Sequence, residues 1–329
     1  GKEVSLQTFF AGPTVAEIAA ALSASHQSTR PPLTLLPRGE GNQPLSFAQE
    51  RLWFIEQLMG DNPLYNMPFH LRLTGPIDVN ALQRTFDALI ARHETLRTRF
   101  TAVDGHPAQH IDAPAPLKMR VTDLGHLIDA EAREQHARDT AAEAASLPFR
   151  LAEEWPIRVQ MLRLTRDEHV LLITMHHIVS DGWSTGVLSN EMRTLYAAFT
   201  GGQEPDLTPL PVQYADFAGW QRKWLSGDTL EQQIAFWKKH LDGAPPLLEL
   251  PYDHVRPATP THRAGTFQTT IPATLASQLK ALARAHDASL FMVLRAAFAV
   301  LMQRWSRNDD LVIGSPVANR VVPEIEGII

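Results

Sequence analysis

Residues Met175–Ser184 read "MHHIVSDGWS", and both the fold and the chemistry turn on how this stretch is understood. It follows Val170–Ile173, "VLLI", an apolar run without polar alternation, as expected of a strand buried on both faces. Two histidines close the run, Asp181 comes four residues after the second, and Gly182-Trp183-Ser184 opens a helical pattern. Three readings compete. A metal site is disfavoured, because adjacent strand residues point to opposite faces and no HExxH or similar ligand spacing accompanies the pair. A plain strand end would hold one satisfied histidine in the core, with Asp181 capping the next helix. A catalytic element would release one histidine from the strand into a loop. There Gly182 would permit a tight turn and Asp181 would order the loop, and an imidazole is suited to taking a proton near neutrality. The local residues leave the last two readings open.

Working outward, "IRVQMLRLTRDEHVLLITMHHI" (157–178) predicts two strands joined at Thr165–Glu168, the second central in its sheet. After the motif, "STGVLSNEMRTLYAAFTGG" (184–202) predicts a helix burying Leu188, Met192, Leu195, Tyr196 and Phe199, ended by Gly201. Upstream, Ser46 and Gln49 stand at capping-box spacing before "LWFIEQL". Leu82, Phe86, Leu89, Ile90 and His93 form one helical stripe behind Asp78, a candidate N-cap. "DAEAREQHARDTAAEAASL" (129–147) reads as a polar surface helix. Downstream, Trp220, Trp224 and Trp237 fall on helical stripes and are expected in a core. "DASLFMVLRAAFAVLMQRW" (287–305) reads as a largely buried helix, and "DLVIGSPVANR" (310–320) as a strand entering a loop. The expected organisation is two α/β lobes, the second incomplete and breaking off in mid-pattern at Ile329.

At the other end, "PTVAEIAAAL" predicts a short helix from Pro13 and Thr14, too short to bury its own apolar face. A Pro-, Ser- and Gly-rich stretch that follows it reads as a linker. The 329 residues are 44% hydrophobic and 20% charged, with a formal charge of −6. That suits about two domains and supplies no basic stripe for nucleic acid. With no cysteine, disulfides, thiolate nucleophiles and cysteine-metal sites are excluded. No apolar run reaches the ~18–20 residues of a membrane span, and no cleavable signal pattern is seen, so a cytoplasmic protein is expected.

Five segments together resemble the condensation domain of nonribosomal peptide synthetases. They are "LSFAQERLWFIEQL" (Leu45–Leu58), "RHETLRTRF" (Arg92–Phe100), "MHHIVSDGWS", "YADFAGWQR" (Tyr214–Arg222) and "IGSPVANR" (Ile313–Arg320), in the family's order. The first residues, "VSLQTFFAGPTVAEIAAAL", are similar to the end of a peptidyl carrier domain without its phosphopantetheine-bearing serine motif. The resemblance implies residues 1–26 as the C-terminal helix of a carrier, 27–43 as linker, 44–215 as the condensation N-lobe and 216–329 as a truncated C-lobe. The implied fold is chloramphenicol-acetyltransferase-like α/β, with two lobes in a V-shaped pseudo-dimer.

The implied reaction is peptide-bond formation between a donor aminoacyl or peptidyl thioester and the amino group of an acceptor aminoacyl thioester. His177 and the backbone N–H of Gly182 are the implied catalytic groups. His176 is read as a packing residue on the other side of the strand, and Asp181 as a structural partner of Arg320, reaching it from the second lobe. His93 is read as structural, with Arg92 and Arg97 available to orient loops. The implied partners are upstream and downstream carrier domains and a downstream adenylation domain; composition points to no nucleic acid or membrane, and nothing in the sequence speaks for a homo-oligomer. No cofactor or metal is implied on the domain itself, because 4'-phosphopantetheine arrives on the carriers. The wording of the motifs is similar to subtypes that take an L-configured donor. Epimerisation relatives share HHxxxDG but need a glutamate from the second lobe, and heterocyclising relatives carry DxxxxD. A partner-recruiting module without catalysis is the alternative of another class; such modules lose the second histidine, which is present here.

Overall fold

The structure is a computed structural model that describes residues 14–24, 30–38, 42–127, 129–255, 257–258 and 264–329. Residues 1–13, most of the stretch likened to a carrier end, and most of the loop "RPATPTHR" lie outside the described residues. The chain divides into two compact units, one of residues up to Thr229 together with Ala318–Ile329, the other Leu230–Val317.

The first unit is built on a mixed four-stranded sheet, β2 (Asn66–Thr74), β5 (Arg120–Asp123), β6 (Ile157–Arg163) and β7 (Glu168–His176), in the order β2-β7-β6-β5. Strand β7 runs antiparallel to both neighbours, and β5 is parallel to β6. The unbroken apolar run of β7 follows from its position. Leu171, Ile173 and Met175 enter a core with α3 (Val79–Arg92) and α5 (Gly182–Thr200), while Leu172 enters another with Ala137 of α4 (Ala130–Ser146). Helices thus cover both faces of the sheet. A second sheet has the order β1 (Gln43–Pro44), β4 (His106–Ile111), β3 (Thr98–Val103).

The local signals in the sequence act as expected. Ser46 and Gln49 form a reciprocal capping box on α2 (Phe47–Met59). Asp78 caps α3 by accepting from the Asn80 and Ala81 N–H groups. Helix α1 (Val15–Ala24) forms where Pro13-Thr14 places its start. Residues 30–38, although irregular, are held against α6 (Tyr214–Trp224). Trp220 Nε1 donates to Pro31 O at 2.6 Å, and fully buried Asp216 accepts from Leu36 N and, in a fork, from Arg38 Nη1 and Nη2.

The second unit carries most of α7 (Gly227–His240), with α8 (Ala273–Ala285) and α9 (Leu290–Ser306). Three expectations fail there. Trp237 is 54% exposed and not core; Trp220 is buried and Trp224 half-buried. Helix α9 has no buried residue, and Phe291 is 62% exposed. No strand forms at 310–320. The causes are common: an apolar helical stripe is buried only if another layer faces it, and an extended segment becomes a strand only beside a ladder partner. Helix α8 packs on α9 but leaves most of its stripe uncovered, and among the described residues 310–320 has no ladder partner. Among the described residues no single helix is long and apolar enough to cross a membrane.

Candidate active site

Strand β7 ends at His176, which faces Asn66 across the ladder with Met175 opposite Ile157 on the other side. His177 has left the ladder. Its N–H donates to Tyr65 O at 2.8 Å, and the chain then turns, with Val179 N–H donating to His176 O at 3.1 Å. Ile178 and Val179 are buried against Leu52, Phe100, Phe149 and Leu151, which fixes the turn on the first unit.

The two imidazoles therefore meet opposite environments. That of His176 is fully buried, while His177 is exposed. The Nδ1 atom of His177 lies 2.5 Å from Ser180 O. A carbonyl oxygen can only accept, so Nδ1 carries the proton, and in the neutral ring Nε2 bears a free lone pair. No described residue partners that nitrogen.

Asp181 is extended (φ −144°, ψ −173°) and caps α5, accepting from the backbone N–H and hydroxyl of Ser184 at 2.7 Å each. Arg320 Nη2 stands 3.6 Å from Asp181 Oδ1, and its direct hydrogen bonds go to Ser184 Oγ (3.2 Å) and, through Nη1, to Ile325 O (2.8 Å). Ser184 is thus the joint, donating to Asp181 and accepting from Arg320. Burial pushes the Asp181 carboxyl up, but the two Ser184 donors and Arg320 more than offset this and hold it below its ordinary value.

Two expectations change here. Arg320 does not come to Asp181 from a second lobe, because Val321, Val322, Ile325 and Ile328 pack with Val212, Phe217 and Trp220 and seat its segment in the first unit. Trp183 Nε1 ties the same segment down by donating to Glu326 O at 2.8 Å. Nor is Gly182 required by the turn. It is not among the positive-φ glycines, and a Cβ built on it meets nothing within 4 Å. The space beside it is open.

Other groups went unseen in the sequence. Glu191, buried on α5, accepts from Arg92 Nε (2.9 Å) and pairs with His93 Nε2 (2.7 Å). Burial pushes the Glu191 carboxyl up, yet His93 and Arg92 together hold it below its usual range. Arg92 also donates to Thr208 O, and Arg97 donates to Ile90 O and Asp112 O, so both arginines act within the first unit. Tyr214 meets the α2 cap, its hydroxyl 3.1 Å from Ser46 Oγ, and burial raises its phenol above the ordinary value. Arg222 donates to Leu45 O, and Gln221 accepts from Phe47 N. Hydrogen bonds thus join the segment Leu45–Leu58 to Tyr214–Arg222 and the motif Met175–Ser184 to Arg320, while Arg92, His93 and Arg97 bond to residues outside the five segments. A cavity of about 350 Å³ under α4, lined by residues such as Arg120, His136, Arg158 and Thr174, includes none of residues 175–184. Among the described residues no group of three or more His, Asp or Glu side chains is placed to hold a metal ion.

Comparison with known proteins agrees with this architecture. The family model of the condensation domain matches residues 39–329. A linear gramicidin synthase of Brevibacillus parabrevis is 44% identical over 335 residues, covering 100% of this chain and 4% of that protein. The chain therefore spans a small part of the curated relatives it matches. Among solved structures, the X-domain in the complex of X-domain and OxyB from teicoplanin biosynthesis superposes with a TM-score of 0.79 at 31% identity, over 92% of this chain and 65% of that one. The first condensation domain of the CDA synthetase shares the fold, with a TM-score of 0.71 at 21% identity over 88% of this chain and 68% of that one. The turn, its cap and the docked Arg320 segment thus lie on a chloramphenicol-acetyltransferase-like α/β scaffold, and the chain belongs to the condensation-domain family of nonribosomal peptide synthetases.

Proposed function

We propose that this domain joins a donor aminoacyl or peptidyl thioester to the α-amino group of an acceptor aminoacyl thioester, each presented on the phosphopantetheine arm of a carrier domain. The observation that carries the proposal is the setting of His177: an exposed imidazole whose Nδ1 lies against Ser180 O, so that it bears the ring proton, and whose Nε2 has no partner among the described residues. In the reaction the amine nitrogen attacks the thioester carbonyl, the C–N bond forms, the C–S bond breaks, and the proton shed by nitrogen ends on the departing sulfur. Nε2 of His177 accepts a hydrogen bond from the attacking amine and is placed to take that proton and return it to the thiolate. The Gly182 N–H, at the start of α5, is a candidate donor to the oxyanion. Because thioesters are already activated and amines are good nucleophiles, positioning can supply several kcal/mol of barrier lowering. The donor is proposed to be L-configured, on the wording of the motifs, and a downstream adenylation domain to load the acceptor carrier.

The test supplies the domain with loaded donor and acceptor carriers and follows the dipeptidyl thioester by mass spectrometry, with chiral analysis of the donor residue. A new amide with an L-donor is the expected result. Epimerised donor without a new amide would instead identify an isomerase. A second reading, a partner-recruiting module, draws support from the X-domain relative solved with OxyB; it is favoured if no amide forms from correctly loaded carriers.

The open space beside Gly182 yields a separate expectation. Nothing in this chain opposes a Cβ there, and alanine is the better helix former by about 1 kcal/mol in helix interiors. Gly182→Ala should melt no lower than the parent. If a substrate arm passes close to this backbone, the same variant loses about tenfold in kcat/KM, roughly 1.4 kcal/mol of transition-state binding. Parental activity with added stability would show that the space is not used.

A further inference from the structure

Two buried polar atoms near the site have no hydrogen-bond partner among the described residues, and they face each other. Oε2 of Glu56, on α2, stands 3.7 Å from Nε2 of His176. The His176 ring is fully buried beside Tyr65 and Phe149, with ring centroids 6.2 and 6.0 Å away. Its Nδ1 accepts from Ile178 N–H at 3.1 Å. That bond leaves Nε2 as the protonated nitrogen of the neutral ring, pointing its N–H toward a carboxylate oxygen with nothing else to accept. Buried groups of this kind are rarely left unpaired, and the gap exceeds a hydrogen bond by under 1 Å.

His176 is also the post on which the catalytic turn hangs. Its ring accepts from Ile178 N–H, and its carbonyl accepts from Val179 N–H (3.1 Å) and from Ser180 Oγ (3.2 Å). Ser180 O in turn receives the His177 Nδ1–H. A rotation of the His176 ring would break the first of these bonds and loosen the last.

We propose that Glu56 is a positioning residue for the reaction: its carboxylate accepts the His176 Nε2–H and, through the 176–180 turn, holds His177 in its Nδ1–H tautomer. The proposal rests on the role given to His177 above. It also gives α2 a reason to carry a buried acid. Glu56 lies on the inward stripe with Gln49 and Leu52, where leucine would otherwise serve, and it touches no reacting atom.

The test uses histidine-labelled protein and long-range nitrogen–proton correlation, which reports the tautomer of each ring without any turnover. His176 should be Nε2–H and His177 Nδ1–H in the parent; a His176 found as Nδ1–H overturns the proposal without any variant. Glu56→Leu keeps the volume and removes the acceptor. It should lower kcat about tenfold, the lower end of losses seen for outer-shell partners, with KM within about twofold, and shift the His177 Nδ1–H resonance. Glu56→Gln, whose amide oxygen can still accept, should recover most of both. Leucine giving parental kcat and an unmoved His177 signal overturns the proposal, as does glutamine being as impaired as leucine. Should Glu56→Leu fail to fold, the glutamine variant and the parental tautomers decide. Because the resonances do not depend on product, a domain that shows the coupling yet makes no amide refutes the functional reading and leaves standing only the hold of Glu56 on the His177 tautomer.

Discussion

A His177→Ala domain is expected to form dipeptidyl thioester some 10²–10³-fold more slowly than the parent, within the range that a positioned acid–base group contributes, while melting at the parental temperature. The fold should survive because the removed ring is exposed and, among the described residues, its one hydrogen bond is the Nδ1–H gift to Ser180 O. The turn keeps its remaining anchors, the Tyr65 O bond to the 177 backbone and the burial of Ile178 and Val179. Residual synthesis is expected as well, since holding two activated reactants together supplies rate without any side chain. Single-turnover rates with preloaded carriers are the right measurement, because they remove loading and release from the comparison. His177→Gln refines the result. Glutamine can accept a hydrogen bond from the amine but cannot carry a proton away, so recovery toward the parent assigns His177 to positioning, and a rate equal to alanine's assigns it to proton transfer. An alanine variant as fast as the parent removes His177 from the reaction altogether.

How much of this could be read from the sequence depended on how local the physics was. The caps at Ser46 and Asp78 were legible, because a helix end is solved within four residues, and that of Asp181 was weighed only in the reading of a plain strand end. So was β7, whose apolar run declares burial on both faces. The site was half legible. That one histidine leaves the strand was only suggested by the turn residues and was favoured by the family resemblance, and which nitrogen stays free depends on Ser180 O, a backbone atom with no sequence signature. Glu56 was findable in principle, as a polar residue on the buried stripe of α2 with Gln49 and Leu52. Glu191 was hidden for the opposite reason, since an acid on an amphipathic helix is read as solvated until Arg92 and His93 are seen around it. The second unit was least legible. Helical periodicity says that a stripe wants a partner and cannot say that one faces it, which is why Trp237 and α9 were misread as core.

The largest stability effect is expected from Asp181→Ala, a loss of about 3 kcal/mol. About 1 kcal/mol is the helix cap, since alanine cannot accept from the Ser184 N–H. The rest comes from Arg320, whose side chain is only 8% exposed against 31% for Asp181. Removing the carboxylate leaves a buried guanidinium with two neutral acceptors, Ser184 Oγ and Ile325 O. Stripping one partner from a buried pair costs ~3–5 kcal/mol, and the partial exposure of Asp181 puts this pair below that range. The asymmetry makes the expectation specific. Arg320→Leu should cost less than Asp181→Ala, because Asp181 keeps both Ser184 donors and access to water. Equal losses would mean that the charge pair, and not the stranded arginine, sets the energy. Acid provides the second check. The folded carboxyl titrates below its unfolded value, which is near ~3.9 for aspartate, so the folded state binds fewer protons there than the unfolded one. Its stabilising contribution is complete above the unfolded value and is lost as pH falls through the folded one. Chemical denaturation of the parent should therefore show a stability slope below about pH 4 that is shallower in Asp181→Asn, and the two curves should run parallel above it. An Asn variant with the parental acid slope would assign that slope to other carboxylates, such as Glu191, held low by Arg92 and His93.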